Sequence, residues 1–402
     1  MMQNTGSLIR RLRMERGLSQ QALCKGICAV SYLSKIEKGT ATPGEEIIRL
    51  LFGALHVDFQ LDESFLRDTR LALDAYFMHA AYMEPAGAER QTLLSVREKA
   101  LQSPLADPYA LFLVYEALEE QHNEQAEELL RGLSPQEDRE QLFFTALAHG
   151  LIACDKADGV AWYQKAVYLR PYSIALYYLG ECLHHHGAYQ EAISYLQQAY
   201  ARAAEEGCPF VLLYAANLTA VCYADLYQED LMMKYFRQAR RLAQAIAPSI
   251  LHQMDYNIGA TLVSMRKSAE ALPFLQRVLL DSENCNVLLY HKLAIACLDT
   301  GDRQAAQNWL RMADALIEAG KGTPMEEKML AIVRFRLAED FLWSDAYYRL
   351  LREVYDGIHA VYHHGFKQFH GNLLIEACVH NRRYKEALQI ASEVDIFPEF
   401  IR

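Results

Sequence analysis

Apolar residues recur along most of this chain at the three- and four-residue spacing that places them on one face of an α-helix. In the first segment, SLIRRLRMERG, this spacing puts Leu8, Ile9 and Leu12 on a common face with arginines around it. The next segment, SQQALCKG, opens with Ser19, a residue type that caps helix N-termini well. The pattern therefore predicts two short helices at the start of the chain.

A third helix is predicted over AVSYLSKIEK, where Leu33 and Ile36 are three positions apart and point inward. Ser31, Tyr32 and Lys35 then face outward. Two short helices joined by a tight turn, inside a bundle of about five helices, form the helix-turn-helix arrangement.

A fourth helix is predicted to begin at the segment TPGE and to run to about Leu55. In this segment Thr42 and Glu45 have the spacing of a capping box, with Pro43 just inside the helix.

The outer face of the third helix has the chemistry of a DNA reader. Such a helix fits the major groove and offers hydrogen-bonding groups to base edges, which here are Ser31, Tyr32 and Lys35. Other residues of this region are expected to touch the DNA backbone, with Gln20 also near a base: Gln20, Arg10, Arg13, Lys38 and Arg49. Two alternatives stay open, namely that Tyr32 packs inside the bundle and that the bundle reads no DNA.

Over about residues 6–56 the segment resembles the Cro/repressor type of helix-turn-helix domain. Within that class, GLSQ…GICAVSYLSKIEKG is most similar to the peptide-pheromone-responsive regulators of Gram-positive bacteria, the group called RNPP. The sequence departs from the usual pattern where Cys28 replaces the glycine of the inter-helix turn and Cys24 replaces a small alanine. Gly26 lies close to that turn.

Charge separates the start of the chain from the remainder. Residues 1–56 contain eight Lys and Arg against four Asp and Glu, a net charge of +4. Because the whole chain has a net charge of -11, the remainder carries -15. This asymmetry indicates that only the first segment contacts a polyanion.

Beyond about residue 57 the sequence repeats itself. Each copy has an apolar–small pair, a turn, and then an alanine followed four positions later by a bulky apolar residue. In one copy these are Leu179, Gly180, Ala192 and Leu196. Four copies start at residues 178, 217, 257 and 292. This period resembles that of tetratricopeptide repeats, whose unit is ~34 residues of helix-turn-helix.

Because one such repeat cannot bury its apolar face alone, the array is expected to stack into a right-handed superhelix with a concave groove. The predicted fold class is therefore all-α, with a helix-turn-helix bundle followed by a tetratricopeptide-repeat superhelix. The predicted domains are a DNA-binding domain at 1–60, linker helices at 61–105, and a repeat domain for ligand binding and dimerisation at 106–402.

Polar residues recur at one position of the first helix in each repeat. Asn217 and Asn257 both precede the apolar–small pair, and an asparagine there can accept from and donate to an extended peptide backbone. Lys292 holds the same position in the next copy and could meet a carboxylate. The full set of expected peptide contacts is Asn217, Asn257, Lys292, Asn372, Tyr178, Tyr214 and Tyr256. As alternatives, the asparagines belong to the general repeat pattern and the tyrosines to the core.

The sequence gives no indication of disulfides, metal sites or catalysis. The nine cysteines have irregular spacing without a CxxC pair, which argues against disulfides and zinc. Consecutive histidines, at 184–186 and 363–364, point in different directions along a helix and chelate poorly. We expect no metal site, no cofactor and no catalytic residue. No stretch has the ~20 apolar residues of a membrane span, so a cytoplasmic location is expected.

These observations predict a homodimeric, sequence-specific transcription regulator that binds double-stranded operator DNA. The resemblance to pheromone-responsive regulators implies a short signalling peptide in the groove, whereas the repeats alone imply only a groove. Two alternatives remain: repeats that serve dimerisation without a peptide, and repeats that capture a partner protein.

Overall fold

In the computed structural model the described residues are 5–59, 62–134, 138–154, 158–280, 285–358 and 364–394. All regular elements in these ranges are helices. The first four are α1 (Thr5–Glu15), α2 (Gln20–Leu23), α3 (Val30–Glu37) and α4 (Glu45–Ala54). We call residues 5–59 the head.

Most helices after the head are longer than those of the head, and many of them pack against the next helix in the chain. They begin with α5 (Glu63–Ala81), α6 (Gly87–Ser95), α7 (Arg97–Leu101), α8 (Ala106–Glu119), α9 (Asn123–Gly132), α10 (Arg139–Ala153) and α11 (Gly159–Leu169). They continue with α12 (Ser173–His185), α13 (Tyr189–Glu206), α14 (Pro209–Asp225), α15 (Glu229–Ile246), α16 (Leu251–Ser264) and α17 (Ser268–Val278). The last are α18 (Val287–Asp299), α19 (Arg303–Glu318), α20 (Pro324–Phe335), α21 (Asp345–Gly357), α22 (His364–His380) and α23 (Tyr384–Glu393). The predicted all-α fold class is confirmed.

Contacts between residues divide the chain into two compact units. The first unit contains Met1–Cys182 and Gln198–Val211, and the second contains Leu183–Gln197 and Leu212–Arg402. The predicted domain boundaries at 60 and 105 both fall within the first unit, and they stay predictions.

The core of the head forms on the side that the apolar spacing predicts. Leu8, Ile9, Leu33 and Ile36 are all fully buried, and they pack with apolar residues of α2 and α4. Ala106, at the start of α8, joins the same cluster. The sequence pattern therefore identified the inner face of α1 and α3 correctly.

Two local expectations about the head need correction. The turn between α2 and α3 takes its left-handed residue at Gly26, with a φ of 79°, so Cys28 does not have to adopt that conformation. The residue that precedes α4 is Gly44, and no side chain caps this helix. The expected capping box of Thr42 and Glu45 is therefore absent, because the helix begins at Glu45 itself.

Small residues lie where helices cross closely. A Cβ atom at Gly259 of α16 would lie 2.6 Å from Cγ of Leu275 in α17. In another repeat, Ala192 and Leu196 of α13 are fully buried, as the repeat pattern predicts. These contacts show why each copy places a small residue at a fixed position.

The closest helix approach in the head occurs at Gly6, where a Cβ atom would lie 1.9 Å from the carbonyl oxygen of Ile36. We expect Gly6→Ala to lower the free energy of unfolding by about 1–3 kcal/mol or more, because α1 and α3 must separate. Scanning calorimetry of the full chain measures this loss. Gly53→Ala is the matched control, since Gly53 lies in α4 with open space around it. Equal stability of the two variants would contradict the close approach.

Candidate functional site

Five of the residues expected to contact DNA are exposed on the surface of the head, among them Arg49 on α4, which pairs with Glu45. Ser31 and Lys35 lie on the exposed face of α3, and Lys38 follows directly at its C-terminal end. Arg10, on α1, is also exposed. The structure therefore presents a polar face of α3 with cationic side chains on the same helix and on α1.

Arg13 and Gln20 are instead held inside the head by a buried carboxylate. The guanidinium of Arg13 donates to both carboxylate oxygens of Glu37, at 2.6 and 2.9 Å, and its Nη1 donates to the carbonyl of Leu18 at 2.8 Å. The amide of Gln20 donates to the same carboxylate at 2.8 Å. Three N–H groups of the Arg13 guanidinium are thus bonded within the head, and its expected phosphate contact stays a prediction.

Glu37 is a residue that the sequence analysis missed. It is 6% exposed, and burial alone would raise its pKa. The hydrogen bonds from Arg13 and Gln20 outweigh burial, so the pKa of Glu37 lies below its ordinary value. No local sequence signal shows this group, because Arg13 lies 24 positions away in the chain.

Tyr32 occupies an intermediate position on α3. Its side chain is partly buried and packs against the apolar core of the head. This placement agrees with the packing alternative, while a base contact by its hydroxyl stays a prediction.

In the second unit, the two repeat asparagines have different surroundings. Asn217, on α14, has its Oδ1 atom buried without a hydrogen-bond partner among the described residues. Asn257, on α16, accepts from the amide of Gln253 at 3.0 Å and is half-buried. Both side chains therefore keep hydrogen-bonding capacity that the described part of the chain does not use.

α16, the helix that carries Asn257, forms ion pairs with the helices before and after it. Asp255 accepts from Arg240 of α15 at 2.7 Å and from Arg277 of α17 at 2.8 Å. Burial would raise the pKa of Asp255, but the two arginines lower it overall. Three successive helices are thereby held together beside Asn257.

Lys292 is placed differently from the expectation. The repeat pattern predicts that it lines the concave groove, but only 3% of this residue is exposed. Its ammonium lies 3.5 Å from the ring centroid of Phe369 on α22. Asn372, on the same helix, donates to the hydroxyl of Tyr227 at 3.3 Å. α22 therefore covers Lys292 and itself carries Asn372.

The three expected tyrosine contacts do not all lie in one unit. Tyr178 belongs to the first unit, where its ring stacks on Tyr163 with centroids 5.8 Å apart. Tyr214 and Tyr256 lie on α14 and α16 of the second unit and are half-buried. Only the latter pair shares its helices with the asparagines.

The histidine run on α12 is partly explained by structure. His184 lies 2.8 Å from the carboxylate of Asp225, and both side chains are largely buried. Of the second run, His363 and the side chain of His364 lie outside the described residues.

Within the described ranges, none of the helices combines the length and apolar character that a bilayer span requires.

The Arg13–Glu37 pair generates a stability prediction. We expect Glu37→Gln to lower the free energy of unfolding by about 1–3 kcal/mol, because Arg13 loses a charged acceptor. The stabilisation by Glu37 is complete above its ordinary pKa of 4.5 and is lost as the pH falls through the lower pKa of the folded state. Urea unfolding at several pH values measures both effects. Glu15→Gln, at an exposed position, is the control, and equal behaviour of both variants would contradict the assignment.

Known proteins resemble this chain in two respects: the sequence of the head and the fold of the longer helical array. The Helix-turn-helix family matches residues 9–61, which include α2 and α3. A search of the curated proteins finds no match.

Solved structures are similar over most of the chain. The apo form of the quorum sensor NprR from B. thuringiensis superposes with a TM-score of 0.60 at 16% identity, covering 82% of this chain and 98% of that one. A Rap protein complexed with Competence and Sporulation Factor gives 0.61 at 14% identity, with 82% and 96% covered. Aspartyl phosphate phosphatase F from Bacillus subtilis gives 0.52 at 14% identity, with 97% and 93% covered. This chain therefore has a helix-turn-helix segment at its N-terminal end and the helical fold of these proteins.

Proposed function

We propose that this protein is a cytoplasmic transcription regulator of the RNPP type, which binds an operator as a homodimer and is controlled by a short signalling peptide. The match of residues 9–61 to the Helix-turn-helix family carries the DNA-binding part of the proposal. The similarity in fold to a quorum sensor supports the peptide part. No catalytic role is proposed, although the same fold occurs in an aspartyl phosphate phosphatase.

The DNA-binding surface is the exposed face of α3. Ser31 and Lys35 offer a hydroxyl and an ammonium to base edges or phosphates, and Arg10 and Lys38 add positive charge beside them. Arg13 and Gln20 act indirectly, because their bonds to Glu37 join α1 and α2 to the end of α3. The head thus keeps the reading helix in a fixed orientation.

We expect Lys35→Ala to weaken operator binding by about 1–3 kcal/mol, because the side chain makes a charged contact with DNA. The operator is first selected from a random duplex library, and affinity is then measured by fluorescence anisotropy at several salt concentrations. Lys321→Ala is the control, since Lys321 is an exposed lysine far along the sequence from the head. If the two variants bind equally well, or if the affinity does not depend on salt, the DNA surface is wrongly assigned.

The peptide-binding surface contains the repeat asparagines of α14 and α16. The buried Oδ1 atom of Asn217 accepts from no donor of the described ranges, and buried acceptors normally have a partner. Asn257 holds the equivalent position one repeat later. A peptide backbone in extended form would supply an N–H group to Asn217 and a carbonyl oxygen to the amide N–H groups of Asn257.

We expect Asn217→Ala and Asn257→Ala each to weaken peptide binding by about 1–3 kcal/mol. The probes are synthetic peptides from short reading frames beside the gene, together with culture extract, titrated by calorimetry against the full chain. Asn308→Ala is the control, because this exposed asparagine lies on α19, the second helix of its repeat. Absence of heat and of any thermal shift with every peptide would favour the alternative in which the repeats serve only dimerisation or capture of a protein partner.

A further inference from the structure

α18 and α22 enclose a group of buried basic side chains. From α18 come His291 and Lys292, and from α22 comes His370, with 3% exposure or less for each. The ammonium of Lys292 lies 3.5 Å from the ring centroid of Phe369 and 5.7 Å from that of Phe366. The rings of His291 and His370 stack with centroids 6.1 Å apart. We call these three basic residues the basic cluster.

The carboxylates of the two helices are engaged elsewhere. The sequence of α18 contains one acid, Asp299, which accepts from Ser268 at 2.6 Å and from Arg336 at 2.7 Å. The sequence of α22 likewise contains one acid, Glu376, which pairs with Arg266. Within the described residues, Lys292 therefore has no carboxylate partner.

Several polar atoms of the basic cluster lack hydrogen bonds. Both ring nitrogens of His291 and Nε2 of His370 are buried without a partner among the described residues. Nδ1 of His370 donates a hydrogen bond to the carbonyl oxygen of Phe366 at 2.9 Å. Folded proteins rarely leave so many buried polar atoms unpaired in one place, and a bound group is a common explanation.

The surroundings of the basic cluster disfavour the charged forms of its side chains. Burial lowers the pKa of Lys292 to about 7 and that of His370 to about 3. Burial, followed by the repulsion from Lys292 and His370, lowers the pKa of His291. Arg336 acts on the pKa of His291 in the same direction. A negative charge in the cluster would relieve this repulsion.

We propose that the basic cluster binds the C-terminal carboxylate of the signalling peptide. This inference rests on the proposed function. Asn217, Asn257 and Lys292 hold the same position in consecutive repeats, so a backbone bound by the asparagines leads toward the lysine. The carboxylate accepts from the ammonium and from imidazole N–H groups, while Phe366 and Phe369 offer an apolar surface to the last side chain.

The cluster is closed in this structure, so the carboxylate can enter only when α22 moves relative to α18. Binding also stabilises the charged form of Lys292. Above a pH of about 7, where the buried amine is neutral, the complex must therefore take up one proton from solvent. Ligand entry, displacement of α22 and proton uptake are thereby linked.

The test uses N-acetyl-leucine as a probe for a peptide end and N-acetyl-leucine amide as its uncharged counterpart. We expect millimolar N-acetyl-leucine to raise the Tm of the full chain at pH 8, whereas the amide does not. Lys292→Met should abolish the response, and Lys321→Met, at an exposed position, should retain it. Equal responses to acid and amide, or an unchanged response of Lys292→Met, would overturn the proposal.

A second measurement does not depend on a variant that folds. Calorimetry of the wild-type chain with N-acetyl-leucine, in buffers of different ionisation enthalpy, should show uptake of up to one proton at pH 8 and of almost none at pH 6. Binding without proton uptake at pH 8 would contradict the role of Lys292.

The inference and the proposed function can fail separately. A regulatory peptide should bind about tenfold or more tightly with a free C-terminus than with an amidated one. If both forms bind equally, the carboxylate site is refuted and the peptide-controlled regulator stands. If the probe binds through Lys292 but no peptide alters DNA binding, the site stands and the proposed function is refuted.

Discussion

The packing of this protein depends on close approaches between helices that leave no room for a Cβ atom. Gly6 faces the carbonyl of Ile36 in the head, and Gly259 faces Leu275 in a repeat. At such points the helices bury more apolar surface than larger residues would allow, and this burial is what stabilises pairs that are too small to fold alone. The positions of the functional side chains follow from these crossings, because each crossing fixes which helix face is turned outward.

The buried ionisable groups of the described residues differ in whether they have a partner of opposite charge. Glu37 meets Arg13, and Asp255 meets two arginines, so both carboxylates are compensated within the chain. Such networks hold helices in one arrangement, and removing one partner is costly. Among the described residues, Lys292 and the histidines near it have no carboxylate partner. This difference supports the proposal that Lys292 and the histidines near it bind a ligand, whereas Glu37 and Asp255 hold helices in position.

The fold by itself does not decide what the protein does. Proteins of this fold include a quorum sensor and an aspartyl phosphate phosphatase, at 16% and 14% identity to this chain. Function must therefore be argued from side chains. The side chains that point to DNA are the exposed Ser31 and Lys35 on α3. The side chains that point to a ligand are Asn217, whose buried Oδ1 atom has no donor among the described residues, and Lys292, which has no carboxylate partner among them.

The sequence by itself determined the all-α class, the helix-turn-helix head and the repeat pattern, because local spacing of apolar and small residues controls which helix faces are buried. It also identified Ser31 and Lys35 as outward-facing, since they alternate with Leu33 and Ile36 on one short helix. Only the tertiary structure decided the partners of Arg13 and Lys292. Glu37 lies 24 positions from Arg13 in the chain. Lys292 lies on α18, and α22, which covers it, is the fourth α-helix after α18. Contacts between residues so far apart depend on how helices stack, which no local pattern encodes.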